Sequence, residues 1–129
     1  MTITPLRPRP TSRPLTLTWV VVCPVARLTP DRGVAALVDG RAVAVFRLAD
    51  GSLHAIDNLD PCSGVSLLSR GIVGDAGGVV TVASPMYKQR FDLATGRCLD
   101  ADVGVDVHDV HVIDGVVVVR LASPMSLAA

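Results

Sequence analysis

Three cysteines (Cys23, Cys62, Cys98), three histidines (His54, His108, His111) and twelve acidic residues, all of them aspartate, could ligate a metal, carry a proton or attack an electrophile. Their spacing offers little ready-made chemistry. No Cys-x-x-Cys pair exists and the cysteine count is odd, so a disulfide framework is not implied. Reduced thiols in the cytoplasm are the simpler reading. Cys62 sits between Pro61 and Ser63 with no basic neighbour in sequence, so nothing local activates it and a packed or simply exposed thiol is expected. Cys23 and Cys98 flank strand ends and read as small hydrophobes. His108 and His111 form a His-x-x-His, a ligand pair on a helix, but on a regular strand they point to opposite faces. Only a bulge would bring them together. His54, between Leu53 and Ala55, reads as a surface strand residue. Asp57 and Asp60 are close in sequence, but no pocket can be inferred around them. No nucleophile elbow and no GxxxxGK or GxGxxG occurs, and the Gly74, Gly77, Gly78 cluster lacks the helix that a phosphate loop needs.

Two segments hold most of the remaining polar variety: Asn58-Leu59-Asp60-Pro61-Cys62-Ser63-Gly64 and Ala83-Ser84-Pro85-Met86-Tyr87-Lys88-Gln89-Arg90-Phe91-Asp92-Leu93. The second contains the only lysine in a chain that otherwise uses arginine eleven times. Loops carried on a rigid scaffold are common recognition surfaces. Met86, Tyr87, Lys88 and Arg90 are therefore the candidate docking residues, with Met86 or Tyr87 as the apolar anchor.

The elements that must carry these loops are strands. Val occurs twenty-two times against two Phe, one Tyr and one Trp. Val is stiff at χ1 and suits a pleated surface, whereas Glu, the helix-favouring acid, is absent. The class is all-β. Strands are expected near Leu17–Val22, Gly33–Val38, Arg41–Leu48, Ser52–Asp57, Val79–Ala83, Gln89–Leu93, Val105–Ile113 and Val116–Leu121. Asp39-Gly40 and Asp114-Gly115 suit tight hairpins, the first of type I′, in which both central residues have positive φ. A long irregular stretch is expected from Asn58 to Gly78. In the penultimate strand Val105 and Val107 share one parity, Val110 and Val112 the other, which predicts a bulge near His108-Asp109. Trp19, Val43, Val45, Phe46 or its alternating neighbours, Ile56, Phe91, Val117 and Val119 are the expected core.

Composition bounds the rest. The chain has 129 residues, sufficient for one domain, with a formal net charge of zero. There is no basic excess for nucleic acid and too few aromatics for a base-stacking platform. The expected layout is a disordered Pro/Arg-rich arm over residues 1–15 (Arg7, Arg9 and Arg13 among prolines), a domain over 16–122, and a flexible tail over 123–129. No signal-like or membrane-spanning run is evident, so a cytoplasmic location with no membrane partner is expected.

The two loops resemble the cluster-binding loops of Rieske ferredoxins, Cys-Pro-His-x-Gly and Cys-Pro-x-His-Gly followed by an Arg-Phe-Asp-like strand. Pro61, Pro85, Gly64, Arg90-Phe91-Asp92 and the turn Ala94-Thr95-Gly96 match that layout. The resemblance implies a Rieske-like β-sandwich or barrel with two long loops. Yet a Rieske [2Fe–2S] centre needs two thiolates and two imidazoles, and Asp60, Cys62, Ser84 and Tyr87 stand at the four degenerate ligand positions. No cluster and no metal is expected in this chain. More narrowly, Asn-x-Asp-Pro-x-Ser-Gly, Leu-Ser-Arg-Gly-Ile-Val-Gly-Asp and Ser-Pro-x-Tyr-Lys-Gln-Arg-Phe look like the small subunit of assimilatory NAD(P)H-dependent nitrite reductase, over roughly residues 19–121. Cys62 departs from that pattern, where an aromatic such as Phe is expected. The long N-terminal arm departs too.

That resemblance implies a non-catalytic subunit without catalytic or cofactor-binding residues of its own. Its partner would be a large subunit carrying FAD, siroheme and a [4Fe–4S] cluster, which reduces nitrite to ammonium in nitrate assimilation. It further implies that the two former cluster loops are held by Asp60, Ser84 and Tyr87 as acceptor, donor and bridging phenol. Two other classes stand beside it: a Rieske-type ferredoxin feeding an oxygenase, and a free-standing β binding module. Colour would separate the first, and co-purification with a flavin- and siroheme-containing chain the second.

Overall fold

The computed structural model describes residues 18–122, which form strands almost wherever the valine alternations place them. The strands are β1 (Val20–Pro24), β2 (Arg32–Val38), β3 (Arg41–Arg47), β4 (Leu53–Asp57), β5 (Leu59–Asp60), β6 (Val65–Ser66), β7 (Ile72–Ala76), β8 (Val79–Ala83), β9 (Arg90–Asp92), β10 (Val107–Ile113) and β11 (Val116–Arg120). Both Asp-Gly turns have the paired positive φ values that a type I′ hairpin requires: Asp39 50° with Gly40 82°, and Asp114 53° with Gly115 75°. The expected arm and tail lie outside the described residues, as does Leu17.

Six strands form an antiparallel sheet in the order β1-β11-β10-β4-β3-β2, whose edges β1 and β2 approach each other. A smaller sheet, β7-β8-β9, and the short hairpin β5-β6 complete the fold. This is the all-β architecture that the valine-rich strand pattern implied.

Two cores share the central strands. Val43, Val45, Ala55, Val117 and Val119 pack with Leu28 and Val38 inside the curved six-stranded sheet. Ala44, Phe46 and Ile56 point the other way and pack against Val82, Phe91 and Leu93 of the small-sheet layer. The consecutive residues Val43, Ala44, Val45 and Phe46 of β3 are therefore all buried, because the strand has protein on both faces. This also resolves the parity change in β10: Val107 packs on the second core and Val110 on the first. No bulge occurs near His108-Asp109, where the pairing runs in register; the irregularity lies in β1, between Val21 and Cys23.

Two further expectations are corrected. The stretch 58–78 is not irregular throughout, since β7 pairs along its length with β8; its Gly-Asp content masks the strand. Trp19 is half-buried rather than a core residue. Its ring carries the Arg120 guanidinium at 4.6 Å and the His111 ring at 5.0 Å, on the outer face of the sheet. The 3-10 turn Leu68–Arg70 packs against β2 and β3 of the six-stranded sheet. A Cβ at Gly33 would collide with the Ser69 carbonyl oxygen and the Phe46 ring, so only glycine permits this approach.

Candidate functional site

The two-loop end is organised by the segment that leaves β4. Asp57, the last residue of β4, accepts from the Arg41 guanidinium at 2.9 Å and from His108 Nε2 at 2.9 Å. His108 Nδ1 accepts the Ala122 backbone N–H at 2.9 Å, so the ring is the Nε2–H tautomer and both its nitrogens are engaged. Burial opposes ionisation of Asp57, but the hydrogen bonds from His108 and Arg41 outweigh it and hold the carboxyl below the usual carboxylate range. One residue on, the Asn58 side-chain oxygen accepts the Ser69 N–H at 2.7 Å, and its carbonyl accepts from Leu67 and Leu68. The base of the first loop is thereby fixed.

Asp60 then joins the two loops. It is fully buried. Its Oδ1 accepts from the Cys62 N–H at 2.8 Å and Gln89 Nε2 at 3.1 Å, and its Oδ2 accepts from Ser84 Oγ at 2.7 Å. Three donors around one carboxylate satisfy the charge that burial would otherwise penalise. Ser84 also closes the second loop, its carbonyl accepting the Lys88 N–H at 2.8 Å and its own N–H donating to the Gln89 carbonyl at 2.9 Å.

As a ligand set, Asp60, Cys62, Ser84 and Tyr87 do not fit a Rieske cluster. Oxygen donors replace three of the four soft ligands, and two of them, Asp60 and Ser84, spend their valence on each other. Cys62 and Tyr87 face solvent instead. Among the described residues no group of three or more His, Cys or Asp side chains gathers to hold a metal ion. His108 and His111 do not converge, His108 being buried on Asp57 and His111 exposed beside Trp19.

The tip of this end is an open cleft of about 490 Å³ lined by Cys62, Tyr87, Lys88, Gln89, Arg90 and Asp100. Of the sequence-derived docking residues, Met86 and Tyr87 are exposed at 47% and 63%, and apolar Leu59, Val65 and Leu99 are exposed on neighbouring segments. Two roles need correction. Arg90 is not a free charge: it grips Asp100 through two side-chain bonds, at 2.8 and 3.0 Å. Those bonds, with one from the Arg90 backbone, bring the Asp100 carboxyl down to about 2. Tyr87 does not bridge the loops; Gln89 does, through Asp60. Asn58, Gln89 and Asp100 are the site residues that sequence reasoning missed. Asn58 carried a usable signal, the Asn-x-Asp spacing that puts two short acceptors at a loop entrance. Asp100 carried none, because its partner is ten residues away.

A family model for the Rieske-like [2Fe-2S] domain matches residues 18–120. The nitrite reductase (NADH) small subunit of Salmonella typhimurium is 41% identical over 104 residues, which cover 79% of this chain and 96% of that protein. A Mycobacterium tuberculosis crystal structure described as an NADH-dependent nitrite reductase small subunit is 49% identical, with a TM-score of 0.78, covering 81% of this chain and 96% of its own. An 82-residue stretch, 64% of this chain, is 43% identical to a part amounting to 8% of the nitrite reductase [NAD(P)H] large subunit of Klebsiella oxytoca.

Proposed function

The chain belongs to the Rieske-like [2Fe-2S] domain family, and on that premise we propose that it is the small subunit of an NAD(P)H-dependent nitrite reductase, docking on the large subunit and doing no chemistry itself. The observation that carries this reading is the buried Asp60 clasp. The two loops are tied to each other by hydrogen bonds through Asp60, which supports reading their shaped, exposed tip as a docking surface. The Klebsiella relative supports the pairing, since a segment like this one there forms part of a large subunit. FAD, siroheme and a [4Fe–4S] cluster belong to the partner in this reading, and the complex works in the cytoplasm. Among the described residues no helix is long and apolar enough to cross a membrane.

The docking face in this proposal is the loop tip. Tyr87 and Met86 form its apolar centre and Lys88 its charge. Exposed ion pairs are worth about 0–1 kcal/mol each, so the aromatic anchor must supply most of the affinity. Tyr87→Ala should weaken binding to the large subunit by about 2 kcal/mol, roughly thirtyfold, and lower nitrite-dependent NAD(P)H oxidation in parallel. Leu37→Ala, on β2, serves as the remote control and should leave binding unchanged. Equal binding by both variants would move the docking face elsewhere. Iron analysis tests the cluster-free state: two irons per chain with visible absorption would restore the ferredoxin reading.

A further inference from the structure

We propose that His108 is a proton-operated latch, which holds the chain leaving β11 at the base of the first loop while its ring is neutral and releases it when the ring is protonated. The His108 side chain is wholly buried, and nothing in the docking role proposed above uses it. It lies between two partners that make opposite demands on it. Nε2 donates to Asp57 Oδ1 at 2.9 Å, and Nδ1 accepts the Ala122 N–H at 2.9 Å. A neutral imidazole has one donor and one acceptor and satisfies both, whereas an imidazolium has two donors and no acceptor. Protonation of Nδ1 therefore sets two N–H groups against each other, and Ala122 must move away. Because Asp57 is the last residue before the first loop, the latch fixes the departing chain at the loop end of the sheet.

The charges around the ring favour the extra proton. Asp57, at the end of β4, faces Nε2. Behind it Arg41 of β3 donates to Asp57 at 2.9 Å and to Asp106, just before β10, at 2.6 Å. Two carboxylates share one guanidinium, so this cluster carries one unbalanced negative charge when His108 is neutral and none when it is charged. On β11, Arg120 is paired with Asp109 at 2.7 Å, and the pair adds no net charge. Against the proton stand the burial of the ring and the one hydrogen bond from Ala122. Both are lifted by the same movement. Ala122 lies two residues past the end of β11, outside its ladder with β10, so its departure breaks no rung of the sheet and admits water to Nδ1. Asp57 keeps its bonds from Nε2 and Arg41 in both states, which leaves the sheet closed while the chain end is freed. The open form binds one proton more than the closed form, so opening must increase as pH falls, by up to about tenfold per pH unit.

The experiment follows the full chain by NMR from about pH 8 to about pH 5, the range in which imidazoles titrate. The ring nitrogens of His108 report protonation of Nδ1. Hydrogen exchange at the Ala122 amide, corrected for its intrinsic rate, reports opening. Nδ1 is expected to be unprotonated at the upper end. Protection of Ala122 should then fall at least about tenfold in step with ring protonation, while the amides of β4 and β10 stay protected. Asp57→Asn keeps an acceptor for Nε2 but removes the unbalanced charge, and should move both curves to lower pH together. The parent chain decides the outcome by itself if that variant does not fold. Protection of Ala122 that survives ring protonation overturns the latch. So does protection lost while the ring is still neutral, or a ring that stays neutral until the whole chain unfolds in acid.

Discussion

At the scale of single residues, Asp60 and Lys88 show how the loop end is built and at what cost. Asp60 is a buried carboxylate with three donors from both loops. Asp60→Ala leaves those donors without an acceptor and should cost about 3 kcal/mol or more, read by urea denaturation. The same variant should expose the second loop, so tryptic cleavage after Lys88 should accelerate relative to the parent chain. Lys88→Gly should do the opposite. Removing a side chain from a φ of 66° should raise stability by about 1 kcal/mol, because a left-handed residue with a Cβ is strained. A lower melting temperature for Lys88→Gly would mean that the side chain makes stabilising contacts outweighing the strain.

At the scale of elements, the six-stranded sheet and the small sheet depend on each other through β3 and β4, whose opposite faces feed different cores. Phe91, on the three-residue strand β9, is the small sheet's largest contribution to the shared core and is fully buried. Phe91→Ala should cost about 3–5 kcal/mol, the usual range for a core aromatic. A loss under about 1 kcal/mol would show that the layers are not coupled through this ring. The short strand is held as much by its surroundings as by its ladder. Phe91 bridges to Cys98, and Arg90 donates to Asp100 just beyond, so the 90–100 loop folds back on the strand that starts it.

At the scale of the whole molecule, Asp57 ties together β3, β4, β10 and the end of the described chain through Arg41, His108 and Ala122. Its folded value lies below the ordinary 3.8, so its contribution is fully present above about pH 4 and is lost as pH falls through the lowered value. Thermal melts should therefore fall steeply below about pH 4. Asp57→Asn should melt lower than the parent at pH 7 and show a flatter acid limb, since the titrating group is gone. Parallel acid limbs in the two proteins would assign the loss to other carboxylates. The Asp100 carboxyl of the exposed Arg90–Asp100 pair is also lowered, to about 2, but solvent screening leaves it a minor contributor.

Most strand positions, both Asp-Gly hairpins, the all-β class and the two-loop plan were legible in the sequence because they follow from local rules: period-two apolarity, β-branched residues and turn chemistry. What required the tertiary structure was pairing across distance. Sequence parity could not reveal that β10 passes between two cores, and so suggested a bulge that does not exist. Nor could it show that Gln89 rather than Tyr87 completes the Asp60 clasp, or that Arg90 is neutralised by Asp100 while Lys88 makes no ion pair among the described residues. Residue types set which groups can donate, accept or repel. Which of them meet is decided by how the sheets stack, since a contact between residues 60 and 84 or 57 and 108 exists only after the chain has closed on itself.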